Sequence, residues 1–343
     1  MPFESVQEFD YESYINQLGK GNPGPMLYFE PFDWKVRGMP KRFVIVGGFS
    51  GSYKTTFALN IAYNNAIALE YNVCFLSLEM PSEDLKLRLA VRHAQNPKFM
   101  KFNQVIKISD VVQGNLSADA KRFLFNEVIP DLKNNRKYGR IFVLESSDIA
   151  EYSTAGLEYA LMAIEKKLQD ELGAGGKTDI HLFIIDYLQL VGRYANAASA
   201  QDRFFMVQQV ARAMKELTQM YAIGRGITII ALSQMTRAAY QSVVERVRNA
   251  RRPSEKYDNL YDLTAFAESS ELANSADIAV TIFSDDELKK LGHARVQLVK
   301  NRYGEPLEQG VNAFVSPDVC YFGDIPEEPR PDSFVGSLLA DVL

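Results

Sequence analysis

Cysteine is scarce in this chain: only Cys74 and Cys320 occur among 343 residues, each inside an apolar run. Two thiols without paired spacing exclude a disulfide framework, and the expectation is free thiols in a reducing compartment. A basic excess is missing too. The formal net charge of −5 excludes a surface coated with positive charge for non-specific nucleic-acid binding, though not a local basic channel. No apolar run approaches the roughly 20 residues of a membrane-spanning helix, so no membrane role is expected. The stretch from Met1 to Asp10 is acidic and lacks an apolar core, so it does not read as a secretory signal. Internal repeats are absent. What the chain does have is apolar material, 47% of residues against 24% charged, enough for a sizeable core. A soluble, intracellular protein is expected.

Residues 1–25 combine a short amphipathic stretch (Phe9, Tyr11, Tyr14, Ile15, Leu18) with the breaker run 19–25. They read as a docking helix and a hinge. From Phe43 onward, short apolar runs alternate with segments of helical period. Strands are expected at 43–46, 73–78, 140–144, 181–185, 226–232, 278–283 and 294–299. Helices are expected at 55–70, 82–93, 117–132, 154–172 and 204–222. That alternation implies an α/β fold with a mostly parallel sheet covered on both faces. After about Ser316 the periodicity stops. Residues 324–332 are acidic and Pro-rich, which suggests a mobile linker, and Phe334, Val335, Leu338 and Leu339 form a small apolar cluster beyond it. The expected division is 1–25, a domain over 26–316, and a tail over 317–343 that packs locally or docks a partner.

The strongest chemical signal is the run Gly48-Phe49-Ser50-Gly51-Ser52-Tyr53-Lys54-Thr55, followed by Thr56, between an expected strand and an expected helix. A phosphate chain needs inward backbone N–H groups backed by a helix dipole, a lysine for its outer phosphates and a hydroxyl for Mg²⁺. Residues 48–56 meet that need, with Lys54 on the phosphates and Thr55 on the metal, so ATP and Mg²⁺ are the expected ligands. One position departs from the pattern, because Tyr53 stands where the motif has glycine. The apolar run 182–185 ends in Asp186, which would carry a carboxylate to the sheet edge that holds the phosphate loop, for Mg²⁺ or its water. Glu79 closes another strand and is the candidate general base. Gln234, at the end of a further strand, is the candidate γ-phosphate sensor.

Five motifs in order carry a family resemblance: the phosphate loop, Ser-Leu-Glu-Met at 77–80, Ile-Asp-Tyr-Leu-Gln-Leu at 185–190, Ser-Gln-Met-Thr-Arg at 233–237, and Lys-Asn-Arg-Tyr-Gly at 300–304. The chain resembles the C-terminal ATPase domain of DnaB-type replicative DNA helicases over roughly 26–316. That resemblance implies a RecA-like P-loop NTPase core, a hexameric ring of identical subunits, movement along single-stranded DNA driven by ATP hydrolysis, and a cytoplasmic setting in a bacterial or phage-infected cell. It also implies that Arg302, with Lys300 beside it, reaches a neighbouring subunit's nucleotide. A helicase loader, primase or another replication protein is an expected partner.

Two segments are candidates for the DNA surface. One, over 192–198, includes Arg193. The other, over 246–270, includes Arg246, Arg248, Arg251 and Arg252. The family's channel motif maps onto an altered stretch there: Asp262-Leu263 is followed by extra residues, and Ala267-Glu268-Ser269-Ser270 replaces its arginine-to-glycine run. Glu268 and Ser270 thus enter the DNA-facing set in place of the usual residues. The family's helical N-terminal tier has no counterpart in residues 1–25. A second expectation stands beside the helicase, a nucleotide-dependent DNA-binding or scaffold ring without unwinding. A filament-forming recombinase would share the core, but the motifs at 77–80 and 300–302 count against it.

Overall fold

The computed structural model describes residues 12, 24–99, 105–173, 175–191, 200–250, 256–266 and 270–325. Its centre is a nine-stranded sheet in the order β3-β2-β4-β5-β1-β6-β7-β8-β9. The strands are β1 Phe43–Gly48, β2 Asn72–Ser77, β3 Ile141–Leu144, β4 Ile180–Asp186, β5 Thr228–Gln234, β6 Ile278–Phe283, β7 His293–Asn301, β8 Leu307–Ser316 and β9 Tyr321–Asp324. From β3 to β6 every pairing is parallel, and β6-β7, β7-β8 and β8-β9 are antiparallel. Continuous apolar runs such as Phe43-Val44-Ile45-Val46 belong in a parallel sheet because both faces are covered. The antiparallel strands need only short connections and extend one side of the sheet.

Six helices do most of the covering: α1 Glu30–Val36, α2 Lys54–Ala68, α3 Ser82–Ala94, α4 Thr154–Leu172, α5 Ala200–Gly224 and α6 Arg237–Asn249. Alternation along β1 divides the core between the two faces. Phe43 and Ile45 pack with Leu157, Leu161 and Leu168 of α4 and Val210, Met214 and Leu217 of α5. Val44 and Val46 pack with Phe57 and Ile61 of α2, Leu85 and Leu89 of α3, and Phe29 and Phe32.

All seven expected strands form, and the main helices lie within a few residues of their expected bounds. Three features differ. The helix expected over 117–132 is interrupted by a π-helical turn at Leu124–Val128, between α-helical Ala118–Phe123 and Ile129–Asn134. α5 is non-helical at Tyr221–Ile223, where Ala222 and Ile223 take positive φ. The sheet also continues past Ser316, so a tail beginning at 317 does not match the fold. β9 pairs with β8, and its Phe322 is buried against Phe57 with ring centroids 4.8 Å apart. Apart from Glu12, the amphipathic stretch around Phe9–Leu18 lies outside the described residues, as does the segment after Ile325.

Candidate nucleotide site

Four parallel strands bring their carboxyl ends to one edge of the sheet. β1 runs into the phosphate loop, β2 into Ser77-Leu78-Glu79, and β4 and β5 end in Asp186 and Gln234. Register sets them side by side, with Ser77 opposite Asp186 and Gly48 opposite Gln234. The cleft along this edge holds about 300 Å³ and is lined by residues 50–56 with Glu79, Arg88, Tyr187, Gln234 and Cys320.

Backbone geometry explains the loop's composition. A side chain at Gly48 would bring a Cβ within 2.3 Å of Ser52 Oγ and 2.8 Å of the Ile282 carbonyl. Tyr53 immediately precedes α2 with φ 69° and ψ 21°, in the left-handed region, which is why glycine is the expected residue there. Holding an L-residue in that region costs about 1–2 kcal/mol. The half-buried Tyr53 ring offsets this by packing against the core beneath α2. Burial raises its phenol above the ordinary value, opposed by a hydrogen bond with the Ser284 side chain at the end of β6.

Lys54 opens α2, and its Nζ donates to the carbonyls of Gly48 (2.9 Å) and Phe49 (3.0 Å). Burial lowers its pKa, against the pull of Asp186 and Glu79. Thr55 Oγ1 donates to Asp186 Oδ2 at 2.7 Å. The other carboxylate oxygen, Asp186 Oδ1, is buried without a hydrogen-bond partner, as is Ser52 Oγ. Burial lifts Asp186 to about 6; the charge of Glu79 adds to the rise, while Thr55 and Lys54 oppose it. A buried carboxylate oxygen left over beside a threonine hydroxyl suits a hard divalent cation. Mg²⁺ therefore fits the residues present.

The remaining groups are held from behind. Ser77 Oγ donates to the Met80 carbonyl (2.6 Å), and the Leu78 amide donates to the Asp186 carbonyl (2.7 Å). These bonds fix the turn that carries the exposed Glu79 carboxylate. Gln189 does the same for Gln234. Its Oε1 accepts the Gln234 amide at 3.1 Å, and its Nε2 donates to Ser233 Oγ (2.9 Å) and the Gln234 carbonyl (3.1 Å). The sequence reading gave no role to Gln189 or to Arg88. Arg88 lies nine residues beyond Glu79 on α3 and lines the cleft. An arginine on an amphipathic helix gives no sign in sequence of whether it faces solvent or a cleft.

Lys300 and Arg302 lie elsewhere. Asn301 pairs with Ile278 at the start of β6, whereas Gly48 pairs with Ile282 near that strand's end. The two cations therefore sit at the opposite edge of the sheet from their own phosphate loop. Among the expected DNA-facing residues, Arg193, Arg251, Arg252 and Glu268 lie outside the described residues, and Ser270 opens a short helix ending at Ser275. Arg246 and Arg248 fall in the last turn of α6. Arg248 is exposed. Arg246 spends its guanidinium on the Asn259 carbonyl at 3.0 Å and on the Leu260 carbonyl, so it pins the following segment to α6. No helix among the described residues is long and apolar enough to cross a membrane.

Comparison with known proteins bears on the site as a whole. The family model for the DnaB-like helicase C-terminal domain matches residues 26–315. The chain is 26% identical over 315 residues to the replicative DNA helicase DnaB of Haemophilus influenzae, covering 88% of this chain and 55% of that protein. It is 25% identical over 299 residues to the replicative DNA helicase DnaC of Bacillus subtilis, covering 84% and 54%. The chain thus spans about half the length of the curated relatives it matches. Among solved structures, it is similar to a DnaB-like replicative helicase described with its interactions with primase. That likeness has a TM-score of 0.66 at 21% identity and covers 94% of this chain and 67% of the other. A solved ATPase domain matches with a TM-score of 0.65 at 20% identity, covering 94% of this chain and 99% of that one. At these identities the structural likeness speaks to the RecA-like fold alone.

Proposed function

The chain belongs to the DnaB-like helicase C-terminal domain family, and on that premise we propose that it is the motor of a ring-forming replicative helicase. In this reading six copies assemble around single-stranded DNA and move along it by hydrolysing ATP, in the cytoplasm and in company with a loader or primase. One observation carries the nucleotide half: the phosphate loop ends on Lys54 and Thr55, with Thr55 bonded to a buried Asp186 that has an oxygen to spare.

The residues divide the work. Backbone N–H groups of 50–55 and the start of α2 bind the phosphates. Lys54 exchanges the carbonyls of Gly48 and Phe49 for outer-phosphate oxygens. Thr55 and Asp186 would hold Mg²⁺, which when bound would supply positive charge against the phosphates. Glu79 takes the proton of the attacking water, and Gln234, braced by Gln189, senses the γ-phosphate. Arg302 and Lys300 face a neighbour rather than their own loop, so each site is completed only when two subunits meet. An arginine supplied in this way typically raises turnover by about 10³–10⁵.

A second reading, a nucleotide-dependent DNA-binding ring without unwinding, is favoured by Tyr53 and by the altered stretch 262–270. Strand separation on a forked duplex distinguishes the two. ATP-dependent unwinding by the wild type, lost in Arg302→Ala, is the expected result. Tight, nucleotide-dependent DNA binding with no strand separation under any nucleotide would replace the helicase reading with the scaffold.

A further inference from the structure

Asp277 precedes β6, is fully buried, and has no part in the chemistry described so far. Its carboxylate is heavily engaged. Oδ2 accepts the Phe43 amide at 2.9 Å, and both oxygens accept Lys215 Nζ at 2.7 Å. Oδ1 also faces Arg302 Nη1 at 3.5 Å, while the Arg302 amide donates to the Asp277 carbonyl at 2.9 Å. The far side of the same guanidinium is held as well, since Nη2 donates to the Asn274 carbonyl at 2.7 Å. Lys300 Nζ donates to the carbonyls of Ala273 (2.6 Å) and Asn274 (3.1 Å). Both cations therefore rest on the carbonyl end of the Ser270–Ser275 helix, where their charge is favoured.

Two further facts turn this packing into a functional arrangement. The Arg302 side chain remains 45% exposed, so the guanidinium is fixed on one face and open on the other. Lys215 and Arg302 both face the Asp277 carboxylate, and Lys300 lies close enough to interact electrostatically with all three, so the cluster carries an excess of positive charge that an anion from outside would balance. An unrestrained arginine would lose rotamer freedom each time it engaged such an anion. One held in place beforehand avoids that loss and reorganises little during reaction.

We propose that Asp277 is the positioning residue of the interface cation, fixing Arg302 against the end of the Ser270–Ser275 helix so that it meets the triphosphate bound by a second copy of this chain. The inference rests on Arg302 acting in trans. The test is DNA-stimulated ATP turnover by full-length Asp277→Asn, Arg302→Ala and the double variant. Asp277→Asn should lower kcat by up to about 10²-fold, the scale of a misplaced group in a reacting site, and leave the KM for ATP nearly unchanged. The double variant should be no slower than Arg302→Ala, because both changes remove one device. Losses that multiply, or a change confined to KM, would reduce Asp277 to a structural residue. Should Asp277→Asn fold poorly, the neutral pair Asp277→Asn with Lys215→Met removes the buried carboxylate charge and its partly exposed partner cation together. It should fold and remain slow, and recovery of full kcat in that pair would overturn the proposal. Wild-type kcat in Asp277→Asn beside an impaired Arg302→Ala sinks this inference alone. Wild-type kcat in Arg302→Ala sinks the trans reading and this inference with it.

Discussion

Asp186 is folded at about 6 against an unfolded value of 3.8. Between those values the folded chain keeps a proton that the unfolded chain has released, so stability falls as pH rises through that window. The size of the fall is roughly 3 kcal/mol. Asp186→Asn should remove most of this dependence in nucleotide-free thermal melts between pH 4 and 7. The same proton competes with metal, so Mg²⁺-dependent nucleotide affinity should weaken as pH drops below about 6 and be lost in Asp186→Asn at every pH. Isothermal titration across pH checks both; an affinity indifferent to pH 5 would remove Asp186 from the metal site. Tyr53 offers a cleaner comparison. Tyr53→Ala loses the ring but keeps the left-handed backbone, and should destabilise by about 1–2 kcal/mol. Tyr53→Gly loses both ring and strain, so its change should stay within about 1 kcal/mol. Equal losses in denaturant titrations would mean that the loop is not strained at this position.

At the scale of elements, periodicity made the parallel strands and their helices legible, since long apolar runs and helical spacing leave few alternatives. It failed where packing rather than pattern decides. α1 has seven residues, too few to show a period, and it is held by Asp33, whose Oδ1 and Oδ2 accept the amides of Leu27 (3.1 Å) and Phe29 (3.0 Å). β9 has four residues beside an acidic, Pro-rich run, yet Phe322 inserts between Phe29 and Phe57. Asp324 at its end accepts the Glu30 amide at 3.1 Å, which ties β9 to the start of α1. Asn60 secures the turn before β9, donating to the carbonyls of Thr56 and Cys320 at 2.8 Å and accepting from Arg92 Nε at 2.6 Å. The bonds from Asp324 to Glu30 and from Asn60 to Cys320 and Arg92 join residues far apart in sequence and have no local signature. Phe322→Ala should cost about 3–5 kcal/mol in chemical denaturation. A loss below about 1 kcal/mol would place β9 outside the folded core.

Across the whole molecule, the parallel sheet separates two kinds of chemistry. Its carboxyl edge gathers the phosphate loop, Glu79, Asp186 and Gln234, and its amino edge gathers Arg302, Lys300, Lys215 and Asp277. The first group was legible in the sequence because each residue ends an apolar strand and the order of the motifs is distinctive. The second was legible only in part. Arg302 and Lys300 stood out through family resemblance, but Asp277 and Lys215 are 62 residues apart and their pairing appears only in the fold. A ring in which one subunit's amino-edge cations complete another's carboxyl-edge site would make turnover depend on assembly and on whatever fills the channel. The most direct test of that account is steady-state ATP turnover with and without single-stranded DNA, comparing wild type with Lys54→Ala. The account predicts strong stimulation by DNA in the wild type and almost no turnover in the variant. Turnover that ignores DNA, or survives without Lys54, would contradict it.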